Sequence, residues 1–190
     1  MKKLTVILSA FVLLTAFTTL NGIWKNDDPH SQLGFTVTHL GISDISGTFN
    51  DFDVDVKASK PDFSDAVFTL TANVASIDTR VEARDNHLKS ADFFDAEKFP
   101  TITFKSTDLK KAGKDKYKLT GNLTMHGVTK PVTMDLQYKG TVENAMNKKQ
   151  TAGFQLTGTL KRSDFGIGEK FPAAMVSDDV RIKADGEFVQ

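Results

Sequence analysis

Four histidines are the residues of this chain best suited to acid–base or metal chemistry, because cysteine is absent. They are His30, His39, His87 and His126, and they lie in different segments, without the short paired spacing of a helical metal site. A zinc site would need three of them to converge. We favour the alternative, in which they make hydrogen bonds at turns and strand ends.

Nucleophilic catalysis is no better indicated. His30 and Ser31 follow Asp27, but adjacency in sequence is not the geometry of a catalytic triad. There is no Gly-x-Ser-x-Gly elbow, and the Asp-Phe-Gly at residues 164–166 lacks the glycine-rich phosphate loop of a kinase. The sequence therefore predicts that the protein is not an enzyme. A histidine-dependent metal or enzymatic role is the less favoured alternative.

Two segments combine charged and aromatic residues. The charged groups are Arg84, Asp85, His87 and Asp92 in the first segment and Arg162 and Asp164 in the second. Either they form ion pairs that fix a helix across a barrel mouth, which we favour, or they meet a ligand headgroup. The aromatic and apolar groups are Phe93, Phe94, Phe99, Phe165, Ile167 and Phe171. They either seal a barrel end or form a surface through which a lipid enters from a membrane.

Composition narrows the class of protein. The 190 residues include 24 basic and 24 acidic side chains, so no global field attracts nucleic acid. Without cysteine the fold depends on its core rather than on disulfides. No internal repeat or linker is present, and the length suits one domain.

The N-terminal sequence has the pattern of an export signal. Lys2 and Lys3 precede an uncharged, mostly apolar run over residues 4–17. This run is shorter than the roughly 20 residues of a membrane span, although an uncleaved anchor is the alternative. We predict a signal peptide over residues 1–22, a mature domain over residues 23–190, and a periplasmic or secreted location.

The rest of the chain alternates apolar and polar residues with period two, as in half-buried antiparallel strands. The alternation predicts eight strands, around residues 35–39, 45–56, 68–74, 102–104, 119–125, 132–138, 154–160 and 180–188. Short connections favour an all-β, eight-stranded antiparallel up-and-down barrel of lipocalin-like type, with a two-sheet sandwich as the alternative. The parity changes between Phe49 and Phe52, which suggests a bulge near Asn50 or Asp51.

One segment departs from this rhythm and predicts a short helix from Thr79 to Lys89, between the third and fourth strands. Thr79 and Glu82 have the spacing of a capping box, in which the Thr hydroxyl accepts a bond from the Glu82 N–H. His87 and Lys89 fall in the last turn, where positive charge suits the helix dipole.

The inward parity defines the candidate binding site. We expect twelve apolar side chains to line it: Phe35, Val37, Phe49, Phe68, Leu70, Phe104, Leu123, Met134, Leu136, Phe154, Leu156 and Ile182. Four glycines share this parity, namely Gly47, Gly121, Gly158 and Gly186. They either let strands coil at barrel corners around a filled core or leave space for one slender ligand.

Motifs along the mature chain carry a family resemblance. They are His30-Ser31, FTVTH at 35–39, GTF at 47–49, SIDT at 76–79, RDNHLKS at 84–90, DFFD at 92–95, FP at 99–100, GNLT at 121–124, GVT at 127–129 and RSDFG at 162–166. In these the chain resembles the bacterial YceI-like family of lipocalin-like, polyisoprenoid-binding proteins. The resemblance implies an extended eight-stranded barrel around a hydrophobic tunnel that binds long-chain amphiphiles without chemistry.

These observations predict an exported protein that binds an isoprenoid or fatty chain in a barrel tunnel, as a carrier or a store. No cofactor is expected beyond such a bound lipid. The expected partners are the lipid itself and, transiently, a membrane; a homodimer is permitted, and nucleic acid is not expected. The main alternative is a module that binds a partner other than a lipid through its Phe-rich loops.

Overall fold

The computed structural model describes residues 22–190, so the predicted signal peptide lies outside the described residues except for Gly22. The strands are β1 (Gly22–Asn26), β2 (Gln32–His39), β3 (Ser43–Phe49), β4 (Phe52–Ala58), β5 (Val67–Asn73), β6 (Ile77–Asp78), β7 (Thr101–Gly113), β8 (Lys116–Met125), β9 (Val128–Glu143), β10 (Gln150–Lys161) and β11 (Asp179–Val189). One α-helix, α1 (Glu82–Lys89), lies between β6 and β7. No helix within residues 22–190 has the length and apolarity needed to cross a membrane.

The strand segments form one closed antiparallel sheet. Neighbours follow the order β1-β4-β5-β7-β8-β9-β10-β11, and β1 pairs with β11 to close the ring. Three long strands are each interrupted once: β1 continues into β2, β3 into β4 and β5 into β6, because both members of each pair adjoin the same neighbouring strands. The predicted eight-stranded barrel, with its helix between the third and fourth strands, is therefore confirmed. Closure of the ring rules out the sandwich.

The structure has a break between two strands, rather than the predicted bulge, between Phe49 and Phe52. Asn50 and Asp51 separate β3 from β4, and the 3₁₀ turns Asp28–His30 and Val74–Ser76 interrupt the two neighbouring strands at the same level. The parity change thus belongs to a crease that crosses three adjacent strands. Phe49 and Phe52 nevertheless pack in one apolar cluster. This is possible because Asn50 and Asp51, between them, lie outside the strands and break the regular alternation.

The helix is shorter than predicted, and its capping box is absent. Helix α1 begins at Glu82, and its N-cap, Val81, makes no side-chain cap. The hydroxyl of Thr79 is already engaged: it donates to Asp85 and accepts from the Arg84 Nε–H at 2.7 Å. The Thr79 N–H also donates to Asp85, at 2.8 Å. Asp85, rather than Glu82, therefore fastens the chain before the helix to its first turns.

A loop that joins β4 to β5 closes one end of the barrel. Its Phe63 is 2% exposed, and its ring lies 5.2 Å from that of Trp24 and 5.0 Å from that of Phe154. The Asp65 carboxylate accepts the Ser59 and Lys60 N–H groups, and Tyr117 donates from its hydroxyl to the Asp62 carbonyl. The loop is therefore a fixed plug.

Helix α1 and the segment between β10 and β11 cover the opposite end of the barrel. Phe93, Phe165 and Ile167 are buried and belong to the apolar cluster at this end. Phe94 packs against Phe49 from the same side, with 5.8 Å between ring centroids. These residues cover part of this barrel end, which is nearer to the first of the two roles that the sequence left open for the Phe-rich loops. The partner-binding alternative thereby loses most of the exposed aromatic surface it needs.

Candidate functional site: an apolar cavity inside the barrel

An internal cavity of about 480 Å³ extends between the two apolar clusters. Its walls include Phe68 and Phe154 from the cluster near the plug, and Phe49 and Phe93 from the cluster near the helix. The volume lies within the range of roughly 300–1,000 Å³ that is common for small-molecule sites. The barrel is thus not filled by its own side chains.

All twelve predicted lining residues border this cavity. They are Phe35, Val37, Phe49, Phe68, Leu70, Phe104, Leu123, Met134, Leu136, Phe154, Leu156 and Ile182. The inward parity of the strands accounts for this result, because successive side chains of a strand alternate between the two faces. That these side chains contact a ligand stays a prediction.

The wall has further members that the candidate set omitted. Strand positions of the same parity are Leu33, His39, Ile45, Val54, Ile102, Leu119, Met125, Val132, Leu160, Val180, Ala184, Gly186 and Phe188. The period-two alternation was a sufficient signal for these. Twelve more come from outside the barrel strands: Ser31, Thr79, Arg84, His87, Leu88, Phe93, Phe94, Arg162, Ile167, Phe171, Met175 and Val176. Periodicity within strands carries no information about these twelve.

The inward glycines do not themselves provide the empty space. A Cβ added to Gly121 would overlap the Phe104 ring, and one added to Gly158 would overlap the Met134 sulfur. At Gly47 the Phe35 ring takes the corresponding position. Large neighbouring side chains therefore lie flat over these glycines, and the cavity is bounded by those side chains.

The cavity opens between α1, the β2–β3 hairpin and the segment before β11. His39, His87 and Met175 line it and are also exposed, so they mark its mouth. Val176 forms a bridge with His39, and the Leu40 N–H donates to the Met175 carbonyl at 2.9 Å. The hairpin and the segment before β11 are thereby joined at one side of the mouth.

A charged chain of contacts joins α1 to the other side of the mouth. Lys170 Nζ lies 2.6 Å from Asp92 Oδ1, and His87 Nε2 lies 3.4 Å from Asp92 Oδ2. The hydrogen bond from Lys170, followed by that from His87, lowers the pKa of Asp92 from its usual value. The His87 ring also packs edge-on against Phe93 and Phe171. Of the charged groups predicted to pair, His87 and Asp92 therefore contact each other at the mouth, with Lys170 as a further partner.

Arg162 holds the segment before β11 in place. Its side chain is 7% exposed and donates to five backbone carbonyls: Ile167, Gly168, Phe171, Val176 and Ser177. These bonds use the whole donor fork of the guanidinium. Its companion Asp164 instead forms an exposed ion pair with Lys130. Both groups thus have structural partners, but the partners of Arg162 are backbone carbonyls rather than the predicted ion pair.

The histidines do not assemble into one site. His126 Nδ1 lies 3.0 Å from the Phe165 carbonyl, and its ring packs on Phe99, so this side chain supports the loop. His39 and His87 lie at the mouth, whereas His30 lies at the strand crease. Within residues 22–190, one group could hold a metal ion, and it comprises Asp27, His30 and Glu187.

His30 and Ser31 are residue types found in catalytic triads, but here they do not contact each other as a triad requires. His30 Nδ1 lies 2.9 Å from Asp27 Oδ2, and this bond raises the pKa of His30. The Ser31 hydroxyl donates to the Glu187 carbonyl at 3.4 Å. The serine therefore has a backbone partner rather than the imidazole, and no nucleophile is activated here.

A closed antiparallel barrel with an apolar cavity that opens at one end defines a lipocalin-like binding barrel. Residues 24–188 match the model of the YceI-like domain. The chain belongs to the YceI-like family. It is 38% identical over 166 residues to a UPF0312 protein of Staphylococcus aureus strain MSSA476, an alignment covering 85% of this chain and 94% of that protein.

Solved structures show the same fold. BcnA of Burkholderia cenocepacia has a TM-score of 0.75 at 27% identity, with 85% of this chain and 98% of that one covered. The YCEI protein of Campylobacter jejuni has a TM-score of 0.74 at 29% identity, with 96% and 99% covered. A polyisoprenoid binding domain of Saccharophagus degradans has a TM-score of 0.65 at 13% identity, with 88% and 97% covered, and it shows the fold alone.

Proposed function

We propose that this protein binds one long-chain amphiphile, an isoprenoid or a fatty chain, in its barrel and acts as a carrier or store outside the cytoplasm. The observation that carries the proposal is the apolar cavity of about 480 Å³, whose strand walls are Phe, Leu, Ile, Val and Met side chains. Such a wall favours hydrocarbon over polar ligands, because each buried methylene contributes roughly 0.8 kcal/mol. Association costs about 4–15 kcal/mol. Ten buried methylenes contribute about 8 kcal/mol, which offsets only the lower half of that range, so a long chain is needed.

The family context supports this class of ligand. One structural neighbour, from Saccharophagus degradans, is a polyisoprenoid binding domain, and the family resemblance in the sequence has the same implication. Binding without chemistry agrees with a wall that offers no activated nucleophile within the described residues. The proposed site consists of the twelve lining side chains of the candidate set.

Export and membrane contact complete the proposed role. The positive and apolar N-terminal pattern supports secretion to the periplasm or beyond. Near the cavity mouth, Leu40 is 53% exposed, Ile42 84% and Met175 43%. Because Met175 also lines the cavity, a hydrocarbon chain could pass from a membrane over this patch without crossing water. The proposal takes the patch as the entry side; a homodimer stays a prediction.

The proposal is tested by asking what the protein carries when it is purified from the envelope of its own cells. We expect mass spectrometry of an organic-solvent extract to reveal a long-chain amphiphile in near-stoichiometric amount. Absence of any amphiphile, together with no uptake of a fluorescent prenyl or fatty-acid probe, would contradict the proposal.

A matched pair of variants ties uptake to the cavity. Ala184 on β11 lines the cavity beside Leu33 and Leu156, so Ala184→Phe should fill part of it. Thr157 on β10 is exposed, so Thr157→Phe adds the same ring outside the barrel. We expect the first variant to lose most probe uptake and the second to keep it. Equal uptake by both variants would mean that the probe binds elsewhere.

A further inference from the structure

Arg84 differs from the other residues of the cavity wall in its chemistry. It lies on α1 beside the mouth, is partly buried, and borders a cavity whose strand walls are apolar. Within residues 22–190 it forms no ion pair with a carboxylate, whereas Lys130, Lys170 and Arg181 each do. A partly buried guanidinium without a counter-ion is costly unless something else supplies the negative charge.

The guanidinium is fixed in position by one residue. Its Nε–H donates to the Thr79 hydroxyl and its Nη2 to the Thr79 carbonyl, each at 2.7 Å. Thr79 is itself 2% exposed and is bonded to Asp85, so the anchor is rigid. Nη1 has no hydrogen-bond partner among the described residues. The side chain therefore presents free donors in a fixed orientation, which reduces the entropy lost on binding.

The other charged residues of the wall and of its neighbourhood already have hydrogen-bond or ion-pair partners. Arg162 also borders the cavity, but backbone carbonyls occupy its donors. Asp185, the wall residue with a carboxylate, is already bonded to Gln155 and Lys183. Of the carboxylates near α1, Asp85 bonds to Thr79, and Asp92 bonds to Lys170 and His87. Arg84 is thus the wall arginine with a donor nitrogen, Nη1, that no described residue occupies.

From this geometry we infer that Arg84 binds the anionic headgroup of the amphiphile, a carboxylate or a phosphate monoester, while the hydrocarbon chain lies in the barrel. The planar donor fork of arginine suits both groups, because each offers two oxygens to parallel N–H donors. His87 lies one helical turn from Arg84 and also lines the cavity, so the site lies on the α1 side of the mouth. The inference rests on the proposed function and narrows its ligand to anionic amphiphiles.

The test compares ligands that share one hydrocarbon chain and differ in the headgroup. The probes are hexadecanoic acid, hexadecyl phosphate, hexadecanol and methyl hexadecanoate, each titrated against the fluorescent probe bound to the wild-type protein. We expect the two anions to bind about tenfold or more tightly than the two neutral compounds, since a charge-assisted hydrogen bond has that effect. The ratio between acid and phosphate distinguishes the two sources of the anion.

Variants assign the preference to Arg84. Arg84→Gln should lower the affinity for both anions by about tenfold and leave the affinity for hexadecanol unchanged. Lys89→Gln removes a cation from the same helix that does not line the cavity, and should change neither. If Arg84→Gln does not fold, equal binding of the acid and the methyl ester by the wild-type protein would still overturn the inference.

Failure of this inference differs from failure of the proposed function. Equal binding of acid and ester by the wild-type protein, or an equal loss for all four compounds in Arg84→Gln, would overturn the headgroup role while hydrocarbon binding stands. No binding of any of the four compounds would overturn both.

Discussion

The ring of Phe104 on β7 lies over Gly121 on β8, in the place that a side chain at position 121 would otherwise fill. The two residues are on adjacent, paired strands, and Phe104 also borders the cavity. A strand glycine is normally unfavourable because it adds no packing and costs backbone entropy. Here the neighbouring aromatic ring covers the glycine and packs closely against the backbone of the sheet. The glycine thus fixes where the ring lies, and the ring in turn bounds the cavity.

The first prediction contrasts two of these inward glycines. In Gly121→Ala the new Cβ would lie 2.5 Å from the Lys105 carbonyl oxygen, which is backbone and cannot move cheaply. In Gly158→Ala it would meet the end of the flexible Met134 side chain, which can turn into the cavity. We expect Gly121→Ala to lower the free energy of unfolding by about 1–3 kcal/mol and Gly158→Ala by less, measured by urea unfolding.

Probe uptake by the same two variants distinguishes packing from cavity volume. Displacement of Met134 should weaken uptake in Gly158→Ala even though its stability is nearly preserved. Full uptake in Gly158→Ala, or equal stability losses in both variants, would show that Met134 does not bound the cavity as described.

The barrel and most of its cavity wall could be predicted because both follow from one repeating local signal. Strand parity decides which side chains point inward, and Phe154 and Leu156 show that this holds along a whole strand. The position of the helix was also predictable, since Thr79 to Lys89 interrupts the alternation between the third and fourth strands. The inward or outward direction of each strand side chain could thus be predicted without knowledge of contacts between distant residues.

The mouth and the plug could not be predicted, because each depends on contacts between residues distant in sequence. Phe63 has φ of +55° and fills the barrel end only because Trp24, 39 positions earlier, provides one side of its pocket. The capping box is absent because the Thr79 hydroxyl accepts a hydrogen bond from Arg84, in place of the Glu82 N–H, and donates to Asp85. Types and spacing alone do not rank such competing hydrogen bonds.

The second prediction concerns the plug. Phe63→Ala should lower the free energy of unfolding by about 3–5 kcal/mol, because a buried ring in contact with Trp24, Tyr138 and Phe154 is removed. The residual opening should also let the fluorescent probe exchange faster. Val67→Ala, at an exposed position close to the same end, is the control and should change stability by less than about 0.5 kcal/mol. A loss below 1 kcal/mol for Phe63→Ala would contradict the assignment of a fixed plug.

The third prediction concerns the segment that covers the other end. Arg162→Met removes the donor from five carbonyls, of which only that of Gly168 keeps another, from the Phe171 N–H, so we expect a loss of about 3 kcal/mol or more and faster proteolysis within residues 163–178. Lys161→Met is the matched control: it removes an exposed ion pair with Asp179, which contributes little. Arg162→Lys should resemble Arg162→Met, because an ammonium cannot reach all five carbonyls. Unchanged protease resistance in Arg162→Met would exclude the anchoring role.

The last prediction uses the pH dependence of the plug. Burial raises the pKa of Asp65, but hydrogen bonds from Ser59 and Lys60 outweigh it and hold the pKa below the usual value. A carboxylate with a lowered folded-state pKa stabilises the fold above its unfolded-state value, near pH 4, and this contribution is lost as the pH falls through the lower folded-state value. Asp65→Asn should therefore cost about 1 kcal/mol at pH 7 and progressively less below pH 4, measured by thermal unfolding beside the exposed control Glu97→Gln. A stability difference that stays constant from pH 7 to pH 3 would show that the Asp65 charge does not hold the plug.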